Sequence, residues 1–126
     1  LAVVNALLDH GLVARAKAQG DKLMNTLRAE FGQHPHVGDI RGRGLFLGIE
    51  LVANRETKAP FDPSRKVAGK IKAAAFEAGL ICYPMSGTID GKSGDHVLLA
   101  PPFIILDDQI DELVAKLSGA IQTALA

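Results

Sequence analysis

Four histidines, one cysteine, arginines set among glycines and a double proline are the places where this 126-residue chain could do chemistry. His34 and His36 flank Pro35, a pairing that could begin a zinc site, yet no cysteine is near and the spacing is not that of a helical ligand pair. They read as solvated loop residues. Asp95-His96, with Ser93 or Ser86 as nucleophile, offers the residue types of a hydrolase. Neighbours on a strand point to opposite faces, however, so adjacency in sequence does not make a triad. Arg41-Gly42-Arg43-Gly44 has cations and glycines for a phosphate, but it matches neither a P-loop nor a dinucleotide fingerprint and leads into a strand, not a helix. It reads as tight backbone packing, with its arginines directed to solvent, a neighbouring domain or a partner subunit. Cys82, between Ile81 and Tyr83, has no cation nearby to make it a thiolate and reads as a small core residue. Pro101-Pro102 removes two amide donors in succession, which forces the chain to a sheet edge or out of the sheet. Beside the glycine-containing segment 85–94, that break is a candidate substrate rim; as a pure strand terminator it would look the same.

Composition narrows the function classes. The 14 basic and 14 acidic residues cancel, leaving no field to recruit nucleic acid or an anionic membrane surface. Hydrophobic residues make up 48% and charged residues 22% of the chain, a globular balance suited to one domain. A single cysteine cannot form an intrachain disulfide, and neither a signal-like segment nor a membrane-length apolar run is present. A cytoplasmic location is expected. Leu1 already lies inside a helical pattern with no capping residue before it, as in a chain trimmed from a longer one.

The elements that must position these residues follow from periodicity. Leu12, Ala16, Leu23, Leu27 and Phe31 mark one face of a long helix, bent or restarted at His10-Gly11 and ending at Gly32, with Arg15, Lys17, Asp21, Lys22 and Arg28 on its wet face. A short strand is predicted over 37–41 and a stronger, largely buried one over 45–52. Asp62-Pro63 starts a helix that runs through Val67, Ile71, Ala74 and Phe76 to a left-handed stop at Gly79. Further strands are predicted over 80–83, closed by Pro84, over 96–100, and over 103–105 beyond the prolines. A last helix from about Asp107 to Leu125 carries Ile110, Leu113, Val114, Leu117 and Ile121 on one stripe. The expected fold class is α/β of the α+β kind: a small, mostly antiparallel sheet covered by helices on one face.

Taken in order, Arg41-Gly42-Arg43-Gly44-Leu45, Glu77-Ala78-Gly79-Leu80, Tyr83-Pro84, Gly94-Asp95-His96, Ala100-Pro101-Pro102 and Ile110-Asp111-Glu112-Leu113 resemble the C-terminal small domain of class III, fold-type-I aminotransferases. The resemblance covers residues 1–126. It implies an enzyme that uses pyridoxal phosphate, works as a homodimer and moves an amino group between a primary amine or ω-amino acid and a 2-oxo acid. In the resembled family a lysine of the large domain forms the Schiff base and large-domain residues hold the phosphate, so the resemblance assigns no catalytic and no cofactor-binding residue to this chain. Its partner would be the large domain of the same polypeptide, and the chain alone is expected to be inactive.

The resemblance also implies that the stretch from Tyr83 to Phe103 closes one side of the substrate pocket, making Tyr83, Lys92, Pro101 and Pro102 candidate substrate contacts. The family's arginine for an α-carboxylate is missing at both of its usual places: Leu98 stands in the strand before the double proline, and Gly91 with Lys92 in the loop before Gly94. Lysine offers a point charge where arginine offers a fork, so Lys92 reads either as a contact for a carboxylate or sulfonate or as a solvated loop lysine. Leu106 replaces the family's usual Thr cap, leaving Asp107 or Asp108 to start the last helix. Two other readings of the residues remain open at this point, a free-standing ligand-binding or regulatory module and an association domain. A domain that has lost its large neighbour should expose an apolar patch.

Overall fold

In the computed structural model, which describes residues 1–126, helix α1 (Ala2–Asp9) breaks from α2 (Leu12–Phe31) at Gly11, whose φ of 58° is left-handed. The chain then runs through strand β1 (Val37–Arg43), β2 (Phe46–Leu51), helix α3 (Val67–Glu77), β3 (Tyr83–Ser86), β4 (Asp95–Leu99) and α4 (Asp107–Leu125). All strand pairs are antiparallel, in the order β1-β2-β4-β3. This is the α+β fold expected from the sequence.

Residues alternate across the sheet. Leu47, Ile49 and Leu51 of β2 and Val97 and Leu99 of β4 are at most 2% exposed and meet Leu23, Leu27 and Phe31 of α2, Ile71 and Ala75 of α3, and Ile110, Leu117 and Ile121 of α4. Each large aliphatic chain buried this way contributes about 1.5–3 kcal/mol. The other face of the sheet has no helix over it. Phe46, Gly48 and Glu50 lie there, so β2 is buried on one side only and not throughout as its apolar run implied.

Several expected boundaries shift for local reasons. β1 continues to Arg43, and Arg43 pairs with Phe46 across the two-residue turn Gly44-Leu45. Positive φ at Gly44 meets the demand of a type II′ hairpin. Asp62 accepts the Ser64 N–H at 2.8 Å but caps only one 3-10 turn, Pro63–Arg65, and α3 begins at Val67. Phe76 is 71% exposed, because the phase set by Ile71 and Ala75 turns it outward. The Gly79 stop holds: its φ is 77° and the Leu80 N–H donates to the Ala75 carbonyl. The strand expected over 80–83 lies later, at Tyr83–Ser86, and contains Pro84, which an edge strand tolerates. Residues 103–105 are not a strand; their carbonyls point to side chains of α2.

His34 and His36 are also corrected. Both are half-buried in an aromatic row, Phe31–His34–His36–Phe61, with ring centroids 5.3–6.2 Å apart. Arg65 lies over Phe61 at 5.0 Å. His34 Nδ1 accepts the His36 N–H at 3.2 Å, and His36 Nδ1 lies 3.1 Å from the Val52 carbonyl. No helix is long and apolar enough to cross a membrane.

Candidate substrate rim and open sheet face

β4 stops at Leu99, and the chain leaves the sheet through Ala100, Pro101 and Pro102. Beyond the prolines the Ile105 N–H closes a turn on the Pro102 carbonyl at 3.0 Å. The crossing is then tied to α2. Arg15 donates from Nε to the Phe103 carbonyl at 3.0 Å and from one terminal nitrogen to the Ile104 and Ile105 carbonyls at 3.3 and 2.9 Å. Gln19 adds a bond to the Ile105 carbonyl at 2.8 Å and one to Asp107 at 3.1 Å, and Lys22 pairs with Asp107 at 2.8 Å. Asp107 therefore anchors α4 to α2 instead of capping its own helix, and the Lys22 and Gln19 bonds hold its carboxyl below the usual carboxylate range. The start of α4 is secured by the Leu106 N–H donating to Gln109 Oε1 at 2.9 Å and by Asp108 accepting the Gln109 N–H at 3.0 Å. Under the crossing, a cavity of about 460 Å³ is lined by Pro101 and Pro102 together with Gly79, Leu80, Gln109 and Lys116.

A second cavity, about 380 Å³, lies on the open sheet face among Arg41, Phe46, Glu50, Ile89, His96 and Leu98. Arg41 bonds Asp39 at 2.8 Å and Glu50 at 3.2 Å, and its bond lowers the Asp39 carboxyl. Nδ1 of His96 is buried there without a hydrogen-bond partner. Leu98, between Gly48 and Tyr83 in the sheet register, gives the centre of this face an apolar side chain. Tyr83 is 59% exposed. Lys92 stands in the 87–94 loop, exposed and without an ion-pair partner. That loop is ordered by its own bonds: Asp90 accepts the N–H groups of Lys92 at 2.9 Å and Ser93 at 2.6 Å, and Gly87 donates to Gly94 at 2.8 Å. Tyr83 thus shares the open face with Leu98, whereas Pro101 and Pro102 border the cavity beside α4.

Asp95 and His96 part company as strand alternation requires. His96 faces the open side, and Asp95 points inward, 5% exposed, where Oδ1 accepts the Ala68 N–H at 3.2 Å. The residue before α3, Lys66, has no side chain able to accept, so a carboxylate 27 positions away satisfies the first turn. Burial raises the Asp95 carboxyl above its ordinary range, partly offset by the Ala68 bond and by His96. Burial likewise pushes the Cys82 thiol up, consistent with an inert side chain. Neither Asp95 as a helix cap nor the Arg15, Gln19 and Lys22 anchor was read from the sequence. The i, i+4, i+7 spacing of the three marks one helix face but says nothing about a partner some 85–90 residues on.

The surface is not uniformly polar. α1 buries no residue, and Val3, Leu8 and Val13 are 66–73% exposed. On the open sheet face Phe46, Tyr83 and Ile89 are 59–63% exposed. Exposed apolar side chains of this kind are what a larger neighbour or a partner would cover. Four of the eight lysines are engaged by neighbouring groups and so do not offer the free amine that a Schiff base with pyridoxal phosphate needs. Lys116, the lysine of the rim cavity, is held by Glu112 at 2.6 Å, Lys17 by Asp21 at 2.7 Å and Lys22 by Asp107, while Lys58 bonds the Gly38 carbonyl.

Comparison with known proteins agrees with this geometry. The family model for aminotransferase class-III matches residues 1–121. An uncharacterized aminotransferase of Schizosaccharomyces pombe is 49% identical over 126 residues, which are 100% of this chain and 28% of that protein. Taurine–pyruvate aminotransferase of Bilophila wadsworthia is 33% identical, with 98% of this chain and 26% of that protein covered. The structure of a transaminase from the marine bacterium Virgibacillus superposes with a TM-score of 0.87 at 34% identity, covering 96% of this chain and 26% of that one. The chain spans about a quarter of the length of the proteins it matches. By sequence and by fold together, the chain belongs to the class III aminotransferases.

Proposed function

We propose that this chain is the C-terminal small domain of a cytoplasmic, homodimeric aminotransferase that moves an amino group between a primary amine or ω-amino acid and a 2-oxo acid. Class III aminotransferases use pyridoxal phosphate, which acts as the electron sink for the exchange. In this reading the Schiff-base lysine and the phosphate cradle lie in the large domain of the same polypeptide, and the chain by itself is inactive.

The observation that carries the choice of donor is Leu98. It places an apolar side chain on the open sheet face, at the strand position where the family resemblance implies that members clamping an α-carboxylate often carry arginine. With Leu98 in place of a fork, and the Arg41 guanidinium of the same cavity engaged by Asp39 and Glu50, a primary amine without an acid group is accommodated, or an amino acid whose acid group lies far from the amine. Lys92 supplies a point charge for such a distant carboxylate or sulfonate. Tyr83 contributes from the open sheet face and the Pro101-Pro102 turn from the cavity beside α4, and the exposed apolar surface of α1 is where the large domain or partner subunit sits.

The test uses the full-length holoenzyme, supplied with pyruvate and, in turn, a simple primary amine, taurine and an α-amino acid. Alanine formation from the first two, with the α-amino acid poorer, supports the proposal. No conversion of any 2-oxo acid defeats the aminotransferase reading, and preference for the α-amino acid defeats the donor assignment.

A further inference from the structure

We propose that Arg15 is a positioning residue that sets the substrate rim from outside the pocket, a role that rests on the reading above. Two consecutive prolines leave the rim without amide donors of its own at 101 and 102. β4 has already ended at Leu99, so the sheet ladder does not hold it either. The backbone beyond is held from α2. One guanidinium reaches three consecutive carbonyls, those of Phe103, Ile104 and Ile105, and Gln19 one turn later takes a further bond to Ile105.

The chemistry suits arginine and no other side chain. Its planar fork directs several N–H groups into one row of acceptors, and its charge strengthens each bond. Lysine at the same place offers a single movable ammonium. Ile105, 5% exposed, pins one end of the crossing to the core, while Phe103 and Ile104 remain 41% and 67% exposed beside the prolines. Loss of Arg15 therefore frees the segment between Leu99 and Ile105 without opening the core. The wall of the pocket then moves, while the reacting centre, held in the large domain, does not. Such a change falls on substrate binding, which appears in KM and leaves kcat in place.

The experiment compares full-length Arg15→Ala, Arg15→Lys and Lys17→Ala holoenzymes by steady-state kinetics and by amide hydrogen exchange of peptides covering 99–110. For Arg15→Ala, KM for the amine should rise about tenfold with kcat within about twofold, and exchange should speed up in that peptide alone. Arg15→Lys should fall between it and the parent, and Lys17→Ala, which breaks only an exposed ion pair, should match the parent. Unchanged exchange overturns the anchor. Faster exchange with unchanged KM, or an equal fall in kcat and kcat/KM, overturns its role at the rim. An inactive parent instead removes the aminotransferase reading and this role with it, whereas failure of the inference alone leaves the parent active.

Discussion

Gly20 of α2 lies directly against Gly44 at the tip of the β1–β2 hairpin: a Cβ on Gly20 would stand 2.2 Å from the Gly44 carbonyl oxygen. Helix and turn meet backbone to backbone there. The contact explains why the arginine-glycine segment sits where it does, since Gly42 is equally confined, its Cβ position lying 2.2 Å from the Phe46 carbonyl. These glycines serve packing and turn geometry, and no phosphate is needed to account for them.

Gly20→Ala should consequently be among the most damaging small substitutions, costing about 3 kcal/mol by overpacking because backbone, not a flexible side chain, must move. Gly44→Ala meets open space, its nearest contact being the Ala16 carbonyl at 3.7 Å. It should cost only about 1–2 kcal/mol, for the positive φ that glycine alone adopts freely. Urea unfolding of both variants in the full-length protein measures the difference; equal losses would show that α2 can slide away from the hairpin.

Asp95→Ala should weaken α3 by about 1–2 kcal/mol through loss of the acceptor for the Ala68 N–H. Asp95→Asn keeps an oxygen acceptor and removes the burial cost of the charge. Because burial raises the folded carboxyl above its ordinary 3.8, the folded state holds a proton that the unfolded state has released. Its contribution is present in full below 3.8 and is lost as pH rises through the raised folded value. Thermal melts from pH 3 to 7 should show this slope in the parent and its absence in Asp95→Asn.

His34 acts in the opposite direction. Burial, with His36 and Arg55 nearby, lowers its imidazole below 6.5, against a smaller opposing pull from Glu30. Protonation would also break the bond that Nδ1 accepts from His36. The unfolded chain binds this proton first, so stability should fall as pH drops from 6.5 through the lowered folded value and then level off. Comparing melting temperatures of the parent and His34→Gln between pH 7.5 and 5 checks it. A variant as pH-sensitive as the parent would assign the slope to another group.

Substrate choice gives the sharpest functional contrast. Leu98→Arg should install a fork on the open sheet face and raise kcat/KM for α-amino acids about tenfold, a gain of about 1.4 kcal/mol. Lys92→Met should raise KM for taurine while leaving a simple primary amine untouched. Parallel losses for both donors would place Lys92 in loop structure rather than in acid recognition.

What the sequence determined by itself is the class of the fold and the family: the helical stripes, the glycine stop at Gly79, the hairpin glycines and the double proline are local or periodic signals, and each records the backbone it sits on. It also shows Leu98, not arginine, in the strand before the double proline, the residue on which the proposed donor choice rests. Tertiary structure decided the rest. Whether Pro84 lies inside or outside a strand depends on that strand being at an edge, and whether 103–105 pairs with a sheet depends on Arg15 being there first. The cap of α3 comes from Asp95 and the anchor of α4 from Lys22 and Gln19, partners separated by 27 to 88 residues. A hydrogen bond between distant positions leaves no spacing pattern in one sequence. Only the packed chain brings donor and acceptor within reach.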